Sequence, residues 1–453
     1  MGFKNKDFVH LHCHSEFSQF DGLAKVPDLV MQARKMGFKA IALTDHGNVM
    51  GLINFIKECE KTQDKSGTKI PYPTIKPILG MEAYIARQMD IGQYDKKRRP
   101  KDIQYDGRKG NKHLNLYAMN WKGYKNLCTL SQRAWTKGFY SDPRIDIELL
   151  SKHSEGLMGG SACLKGLINE NLLHGKYERA KRVCGILKDV FNNNFFLEIM
   201  YHGIPEEKAI VPEIFKLSKE MNVPICATND VHYIKKEYGK SQEILMCMAS
   251  STCVNDPKHI KHRYNEFYLK SAEDMGRIFD KHPEVIYNTV KIADKIDTED
   301  IKRHLFGGMR LPKFTIPDEY NDSYEYMEKL AWDGLKRLGW EGSEEHVKAL
   351  KKELRDVKVA RDNNNYDFAK YFLIVKDYID AAKDIGALVG PGRGSGYASI
   401  LLRCLNITYG VDPIQYDLIW ERFLGFDDIR FIKESDFGFE DTTTVNNNNL
   451  YEN

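Results

Sequence analysis

Short apolar runs alternate with amphipathic segments through the first half of the chain. Residues 39–44 (KAIALT) form one apolar run, and the following segment carries apolar side chains at the helical positions 52, 55, 56 and 59. Further strands are predicted at residues 8–14, 77–84, 114–119, 157–160, 195–200 and 224–228, and helices at 122–135, 177–191 and 206–221. This alternation predicts an α/β fold in which seven parallel strands form a distorted barrel.

Beyond residue 274 the pattern changes to helical segments. A linker is predicted at residues 311–318, an amphipathic helix at 324–338 and a short strand at 387–389. The end of the chain is polar and includes four consecutive asparagines, a composition that cannot build a core. We therefore predict a barrel domain at residues 1–274, a smaller α+β domain at 275–430 and a disordered tail at 431–453.

Composition narrows the class of protein. A chain of 453 residues with 42% hydrophobic residues is long enough for two or three globular domains, and no apolar run reaches the length of a membrane span. The N-terminus lacks the apolar core of a secretory signal, and the nine cysteines form no CxxC pair. We expect a soluble, cytoplasmic protein with reduced thiols. The net charge of +3 is too small to indicate nucleic-acid binding by itself.

Potential metal ligands recur at the ends of the predicted strands. His10, His12 and His14 alternate along the opening strand, which predicts three imidazoles on one face. Later strand ends carry Asp45, His46, Glu82, His113, Cys163, His202, Asp230 and His232. Any one of these could be a helix cap or a packed core residue. Together at the mouth of one barrel they would repel or lose hydration without cations, so the sequence predicts a metal cluster.

Several motifs resemble a known superfamily. HLHCHS, TDHG, NDVH and the glutamate of KPILGMEAYIA are similar to motifs of the polymerase and histidinol phosphatase (PHP) superfamily. Longer stretches such as QFDGLAKVPDLV and ATNDVHY resemble the N-terminal region of the family C replicative DNA polymerases, and the resemblance covers residues 8–424. It implies a PHP-type barrel followed by a partial polymerase palm. It also implies DNA as a partner, no membrane, and a bacterial cytoplasm or, for a viral protein, the host cytoplasm.

The resemblance also implies a trinuclear metal site. Its ligands would be His12, His14, Asp21, His46, Glu82, His113, Cys163, Asp230 and His232. His10 is left out, because many PHP phosphoesterases have aspartate at that place. Cys163 and His202 are alternatives for one ligand, and the family's strand order favours Cys163, with His202 near the substrate phosphate. Imidazole, carboxylate and thiolate ligands suit three divalent ions of zinc, manganese or iron. Such a site is implied to hydrolyse DNA as a 3′→5′ exonuclease.

A basic run lies between the third and fourth predicted strands. Lys96, Lys97, Arg98 and Arg99 would be at the same mouth as the metal site and could bind the DNA backbone. A solvated charged loop is an equally good interpretation.

A glycine-rich turn follows the predicted strand at residues 387–389. Glycines allow close approach of the backbone to a phosphate, and Arg393 can bind that phosphate through two hydrogen bonds. The turn resembles the GPGRGS loop of the family C palm. By that resemblance Gly392, Arg393, Gly394 and Ser395 would contact a nucleotide triphosphate.

The palm departs from the family pattern after Leu424. Ile432 falls where the first carboxylate for magnesium is expected, and no third palm carboxylate follows. We therefore expect magnesium-dependent polymerisation only with a second polypeptide that carries the rest of the polymerase.

Two functions of different class remain open. The chain is either a metal-dependent phosphoesterase that forms the N-terminal part of a replicase, or a non-catalytic assembly module with structural metals. Metal content and nuclease activity distinguish them.

Overall fold

The structure is a computed structural model, and it describes residues 2–86, 111–257, 259, 264–307, 311–312, 314–364, 367–392 and 394–424, without the side chains of residues 363 and 364. The chain divides into two compact units, Met1–Leu305 and Phe306–Asn453. Within the described ranges, none of the helices combines the length and the apolar character that crossing a membrane requires.

The first unit is built on a curled sheet of seven strands. The strands are β1 (Ala40–Leu43), β2 (Lys76–Ile85), β3 (Lys112–Ala118), β4 (Arg144–Ile145), β5 (Leu157–Gly160), β6 (Phe195–Ile199) and β7 (Ile225–Ala227). They are ordered β1-β2-β3-β5-β6-β7, and β4 pairs with β2. The mixed α/β class is therefore confirmed, and most predicted strands are found within two residues of their predicted bounds.

Eleven helices of the first unit surround this sheet in the described residues. They are α1 (Val26–Met36), α2 (Leu52–Glu60), α3 (Trp121–Thr136), α4 (Ile147–Lys152), α5 (Leu167–Leu173), α6 (Tyr177–Val190), α7 (Pro205–Met221), α8 (Gly239–Ala249), α9 (Ala272–Ile278), α10 (Glu284–Asp294) and α11 (Thr298–Phe306). Local sequence explains their ends. Asn120 caps α3 by accepting a hydrogen bond from the Gly123 amide, and α1 ends where Gly37 adopts a left-handed conformation with φ of 83°.

The opening segment joins the two edges of the sheet. On one side the Ala42 and Thr44 amides donate to the carbonyls of His10 and Cys13, at 2.9 and 2.8 Å. On the other side the His14 amide donates to the Val231 carbonyl at 2.7 Å. The predicted strand at residues 8–14 is thus reduced to isolated parallel bridges, but it runs where a closing strand of a barrel would run.

One strand runs against the predicted direction. β3 is antiparallel to both β2 and β5, whereas the sequence predicted parallel strands throughout. The register pairs Tyr84 with His113 and Glu82 with Asn115. Because of this reversal, the beginning of β3 lies at the same end of the sheet as the carboxyl ends of its neighbours. His113 therefore reaches the mouth from the start of its strand.

The core of the first unit extends beyond the predicted domain boundary. Ile292, Ala293 and Ile296, in and just after α10, are buried in one cluster with Val9 and Leu11 of the opening segment. The Thr298 hydroxyl, at the start of α11, donates to the Pro77 carbonyl of β2 at 2.9 Å. Because α10 and α11 complete this core, the first unit extends to Leu305, later than the predicted boundary after residue 274.

The second unit is helical in its described residues. Its helices are α12 (Ser323–Arg337), α13 (Glu344–Asn364), α14 (Phe368–Asp384) and α15 (Ile400–Cys404), and they enclose a separate apolar cluster. Buried Glu353 of α13 caps α15, because its carboxylate accepts from the Ser399 hydroxyl and from the amides of Ile400 and Leu401 at 2.7 to 2.9 Å.

The prediction of a strand at residues 387–389 is wrong. These residues form no strand, and the Leu388 side chain is fully exposed. An apolar run of three residues is too short to define a strand without a partner, and the described part of the second unit contains no strand to pair with it.

Candidate metal centre

Glu82 lies at the centre of a buried cluster of imidazoles. It sits in the middle of β2, and its side chain is 1% exposed. One carboxylate oxygen lies 2.8 Å from His113 Nδ1, and the other lies 2.8 Å from His46 Nδ1. The Nε2 atoms of His12 and His14 follow at 3.4 and 3.5 Å. One carboxylate therefore faces four histidines that come from three separate segments of the chain.

Asp230 forms a second carboxylate position. It follows β7, adopts a positive φ of 43°, and places Oδ1 3.1 Å from the Nε2 atoms of both His12 and His14. A non-glycine residue with positive φ is held there by its surroundings, which is common at functional sites. The hydrogen bonds between the 230–231 segment and the opening segment thus also bring Asp230 to the two histidines.

Asp21 forms a third carboxylate position, closer to solvent. Its Oδ2 atom lies 3.2 Å from His46 Nε2 and 3.4 Å from His232 Nε2. The ring of His14 stacks on that of His232 at 4.5 Å and lies 4.2 Å from that of His46. The three imidazoles therefore form one continuous layer beneath Asp21.

Cys163 joins the cluster, and His202 does not. The thiol of Cys163 lies 3.7 Å from His113 Nδ1. His202 is buried, with Nδ1 bonded to Glu207 at 2.7 Å and Nε2 bonded to the Asn229 carbonyl at 3.0 Å. Because both of its ring nitrogens are engaged within the protein, His202 is placed neither as a metal ligand nor as the predicted contact to a substrate phosphate.

His10 is also outside the cluster. Its Nε2 atom bonds the Lys270 carbonyl at 2.8 Å, and its ring packs edge-on against Phe8 and Phe38. Burial lowers its pKa to about 4, so the ring is neutral at physiological pH. The predicted single face of three imidazoles is therefore wrong for His10, because the opening segment bridges its neighbours too irregularly to keep strict strand alternation.

The arrangement fits divalent cations. Three overlapping groups have ligand atoms within 4.8 Å of one another: His14, His46 and His232; His12, His14 and Glu82; and His46, Glu82 and His113. Within the described residues, three buried atoms of this cluster make no hydrogen bond of acceptable geometry, namely His12 Nε2, His46 Nδ1 and Glu82 Oε2, although His46 Nδ1 and Glu82 Oε2 lie only 2.8 Å apart. Buried polar atoms without partners are costly, and these three belong to the same cluster. Nitrogen and oxygen donors of this kind suit zinc, manganese and iron.

The electrostatics of the cluster favour ionised carboxylates. Burial opposes ionisation of Glu82, but His113, His12 and His46 outweigh it and hold the pKa of the carboxyl well below its usual range. Burial also opposes ionisation of Asp230, but His12 and His232 outweigh it and hold the pKa of this carboxyl well below its usual range. Burial raises the pKa of the Cys163 thiol, and Glu82 and Asp230 raise it further. A bound cation would reverse this effect on the thiol by favouring the thiolate.

A second carboxylate layer was missed by the sequence analysis. Glu198 of β6 is 1% exposed, and its Oε2 atom lies 3.1 Å from His12 Nδ1. Asn115 of β3 donates to its Oε1 atom at 2.9 Å, and so does the Ala162 amide, next to Cys163. An acidic residue inside the apolar run FFLEIM was the available signal. A carboxylate behind a metal-binding histidine fixes its tautomer and orientation.

Asp45, after β1, holds the loop that follows the opening segment. Asp45 accepts hydrogen bonds from the Ser15 amide at 2.7 Å, from the Ser15 hydroxyl at 2.8 Å and from the Ser18 hydroxyl at 2.7 Å. The Ser18 hydroxyl also lies 2.9 Å from His14 Nδ1. Asp45 therefore ties the loop that carries Asp21 to the end of β1, rather than reaching the cluster itself.

The remaining predicted site residues belong to the basic run and to the glycine-rich turn. Lys96, Lys97, Arg98, Arg99 and Arg393 fall outside the described residues, as does the polar tail. Gly392 and Gly394 have φ of 121° and 63°, conformations that favour glycine, and exposed Ser395 lies in a 3-10 helix that runs from Gly394 to Ala398. Their predicted contact with a triphosphate stays a prediction.

Most of the chain is similar to known families and proteins. Residues 10–202 match the PHP domain family, and residues 325–438 match the bacterial DNA polymerase III alpha NTPase domain. The DNA polymerase III subunit alpha of Borreliella burgdorferi is 40% identical over 94% of this chain and 34% of its own length. Those of Helicobacter pylori and Treponema pallidum are 37% and 38% identical over 93% and 92% of this chain. The chain spans about a third of the length of these relatives. Residues 10–202 are therefore similar to the PHP domain family, and nearly the whole chain is similar to part of the bacterial DNA polymerase III alpha subunits.

Proposed function

We propose that the first unit is a metal-dependent phosphodiesterase that removes nucleotides from the 3′ end of DNA. The observation that carries this proposal is the convergence of four imidazoles on Glu82, with Asp21, Asp230 and Cys163 around them. The ligands proposed for three divalent ions are His12, His14, Asp21, His46, Glu82, His113, Cys163, Asp230 and His232.

Clustered divalent ions supply an activated water and neutralise charge on a phosphodiester. The chain's own residues hold and tune such ions. Glu198 orients His12, and Asp45 holds the loop of Asp21 through Ser15 and Ser18. Lys165 lies beside the cluster. Partial loss of hydration opposes its charge, but Cys163 and Asp21 outweigh that loss and raise its pKa. Its ammonium group therefore stays charged at neutral pH, as binding of a substrate phosphate requires.

We predict that the protein degrades a single-stranded oligonucleotide from its 3′ end. This activity should stop when a chelator removes the metal ions and should return when manganese, zinc or iron is added. Asp21→Asn should reduce the rate by about 100-fold or more, since it removes a charged ligand. Asp28→Asn, at an exposed position on α1, is the matched control and should be unaffected. Equal rates in all three proteins would indicate a contaminating nuclease. Metal-loaded protein that hydrolyses no nucleic acid would instead favour the non-catalytic assembly module.

We also propose that the second unit contributes to nucleotide polymerisation together with a further polypeptide. The support is the match of residues 325–438 to the polymerase NTPase domain and the two left-handed glycines around Arg393. We expect no primer extension by this chain alone. Magnesium-dependent synthesis should appear when it is mixed with a polypeptide equivalent to the remainder of its relatives. Extension by the isolated chain, free of contaminating polymerase, would contradict this proposal.

A further inference from the structure

Three aromatic side chains at the end of α3 face solvent instead of packing into the core. Trp135, Phe139 and Tyr140 are 45%, 52% and 63% exposed. The rings of Trp135 and Phe139 stack on each other, with centroids 5.5 Å apart and planes at 18°. We call these three residues the aromatic platform. Exposed aromatic groups that stack side by side mark an interaction surface rather than scattered surface hydrophobes.

The aromatic platform is attached to the metal centre through Gly47. The Trp135 indole donates its N–H to the Gly47 carbonyl at 3.0 Å, and Gly47 directly follows His46. Pro143 packs so closely against Gly47 that a Cβ on Gly47 would lie 2.4 Å from Pro143 Cγ. Gly47 also has a φ of 61°. The platform therefore lies one residue from an imidazole of the cluster.

The charge around the aromatic platform selects an anionic ligand. Between residues 133 and 144 only Asp142 is acidic, and the cations are Arg133, Lys137 and Arg144. Arg133 and Lys137 are exposed, and the Arg144 guanidinium lies 5.2 Å from the Tyr140 ring centre. Aromatic faces interleaved with cations are the recurring chemistry of single-strand binding, in which bases stack and phosphates meet positive charge.

We propose that the aromatic platform stacks unpaired nucleobases of a DNA strand whose 3′ end enters the metal centre. This inference rests on the proposed phosphodiesterase and specifies its substrate as single-stranded. Aromatic rings stack on the face of any base, so binding is tolerant of sequence. In a duplex neighbouring base pairs cover every base face except the outer face of the terminal pair, so a paired end offers the platform a single face where an unpaired strand offers many.

The test measures binding of a fluorescent single-stranded oligonucleotide by anisotropy, in the Asp21→Asn background to prevent cleavage. Phe139→Ala and Trp135→Ala should each raise the Kd about fivefold or more. Trp135→Phe keeps a ring but loses the N–H, and should restore most of the affinity. Tyr287→Ala, at a 47% exposed position on α10, is the control and should leave the Kd unchanged. Thermal unfolding of each variant verifies that it is folded.

An unchanged Kd in both alanine variants would overturn the platform. So would a Trp135→Phe variant as weak as Trp135→Ala beside an unaffected Phe139→Ala, since Trp135 would then act only through Gly47. Hydrolysis of a small phosphodiester without bases, measured with the unsubstituted protein, separates the two proposals. If that hydrolysis is absent while the alanine variants still lose oligonucleotide binding, the phosphodiesterase fails and the platform stands.

Discussion

Glu82→Gln is expected to abolish metal binding and hydrolysis together. The substitution keeps the size of the side chain but removes the charge that lies within 2.8 Å of both His46 and His113. The amide nitrogen would also turn a donor towards atoms that must bind a cation. We expect the hydrolysis rate to fall by more than about 100-fold, beyond the loss typical of residues that only support ligands.

The measurement for Glu82→Gln is metal-induced stabilisation. A ligand that binds only the folded state raises the unfolding temperature, by an amount that grows with the logarithm of its concentration relative to its Kd. Added manganese or zinc should raise the Tm of the chelator-treated protein and leave the Tm of Glu82→Gln unchanged. Glu148→Gln, with a 79% exposed side chain on α4, should respond like the unsubstituted protein. A Glu82→Gln protein that keeps its metal response would show that the carboxylate is not a ligand.

Glu198→Gln is expected to weaken metal binding without removing the site. Glu198 accepts hydrogen bonds from Asn115, Ala162 and Thr228 at 2.9 Å and contacts His12 Nδ1. Loss of its charge relaxes the orientation of His12, and carboxylates in this position are worth about 10- to 100-fold in metal affinity. We expect the metal titration to shift by that factor, and hydrolysis to recover at high metal concentration.

If excess metal restores hydrolysis by Glu198→Gln, the variant is folded and Glu198 acts by positioning His12. Glu198→Ala should be worse than Glu198→Gln, because it leaves buried donors of Asn115, Ala162 and Thr228 without an acceptor, at about 1–3 kcal/mol for each group. Glu155→Gln, with a 77% exposed side chain, is the matched control. Superimposable metal titrations for Glu198→Gln and the unsubstituted protein would show that Glu198 does not support metal binding.

The sequence predicted the parts of the fold that depend on local pattern. β2, β3 and β6 were expected because each is a short, largely apolar run, and α6 and α7 because their apolar positions repeat at helical spacing. The antiparallel direction of β3 could not be predicted in this way. Strand direction depends on how the connecting chain returns, and the apolar run reads the same in either direction.

The site was predictable where ligands follow strands. His46 and Asp230 lie three residues beyond the ends of β1 and β7, so their approach to the mouth follows from the fold. The places of Glu198 and His202 could not be predicted, because they depend on which neighbour satisfies each ring nitrogen. His202 is held by Glu207 of α7, while His12 is held by Glu198 of β6. Such pairings are set by tertiary packing.

The most direct test of the proposed metal centre is the number of divalent ions bound to each chain, measured by native mass spectrometry after incubation with zinc, manganese or iron. The arrangement around Glu82, Asp230 and Asp21 predicts three ions in the unsubstituted protein and none in Glu82→Gln. A folded, unsubstituted chain that binds none of these metals would contradict the central claim.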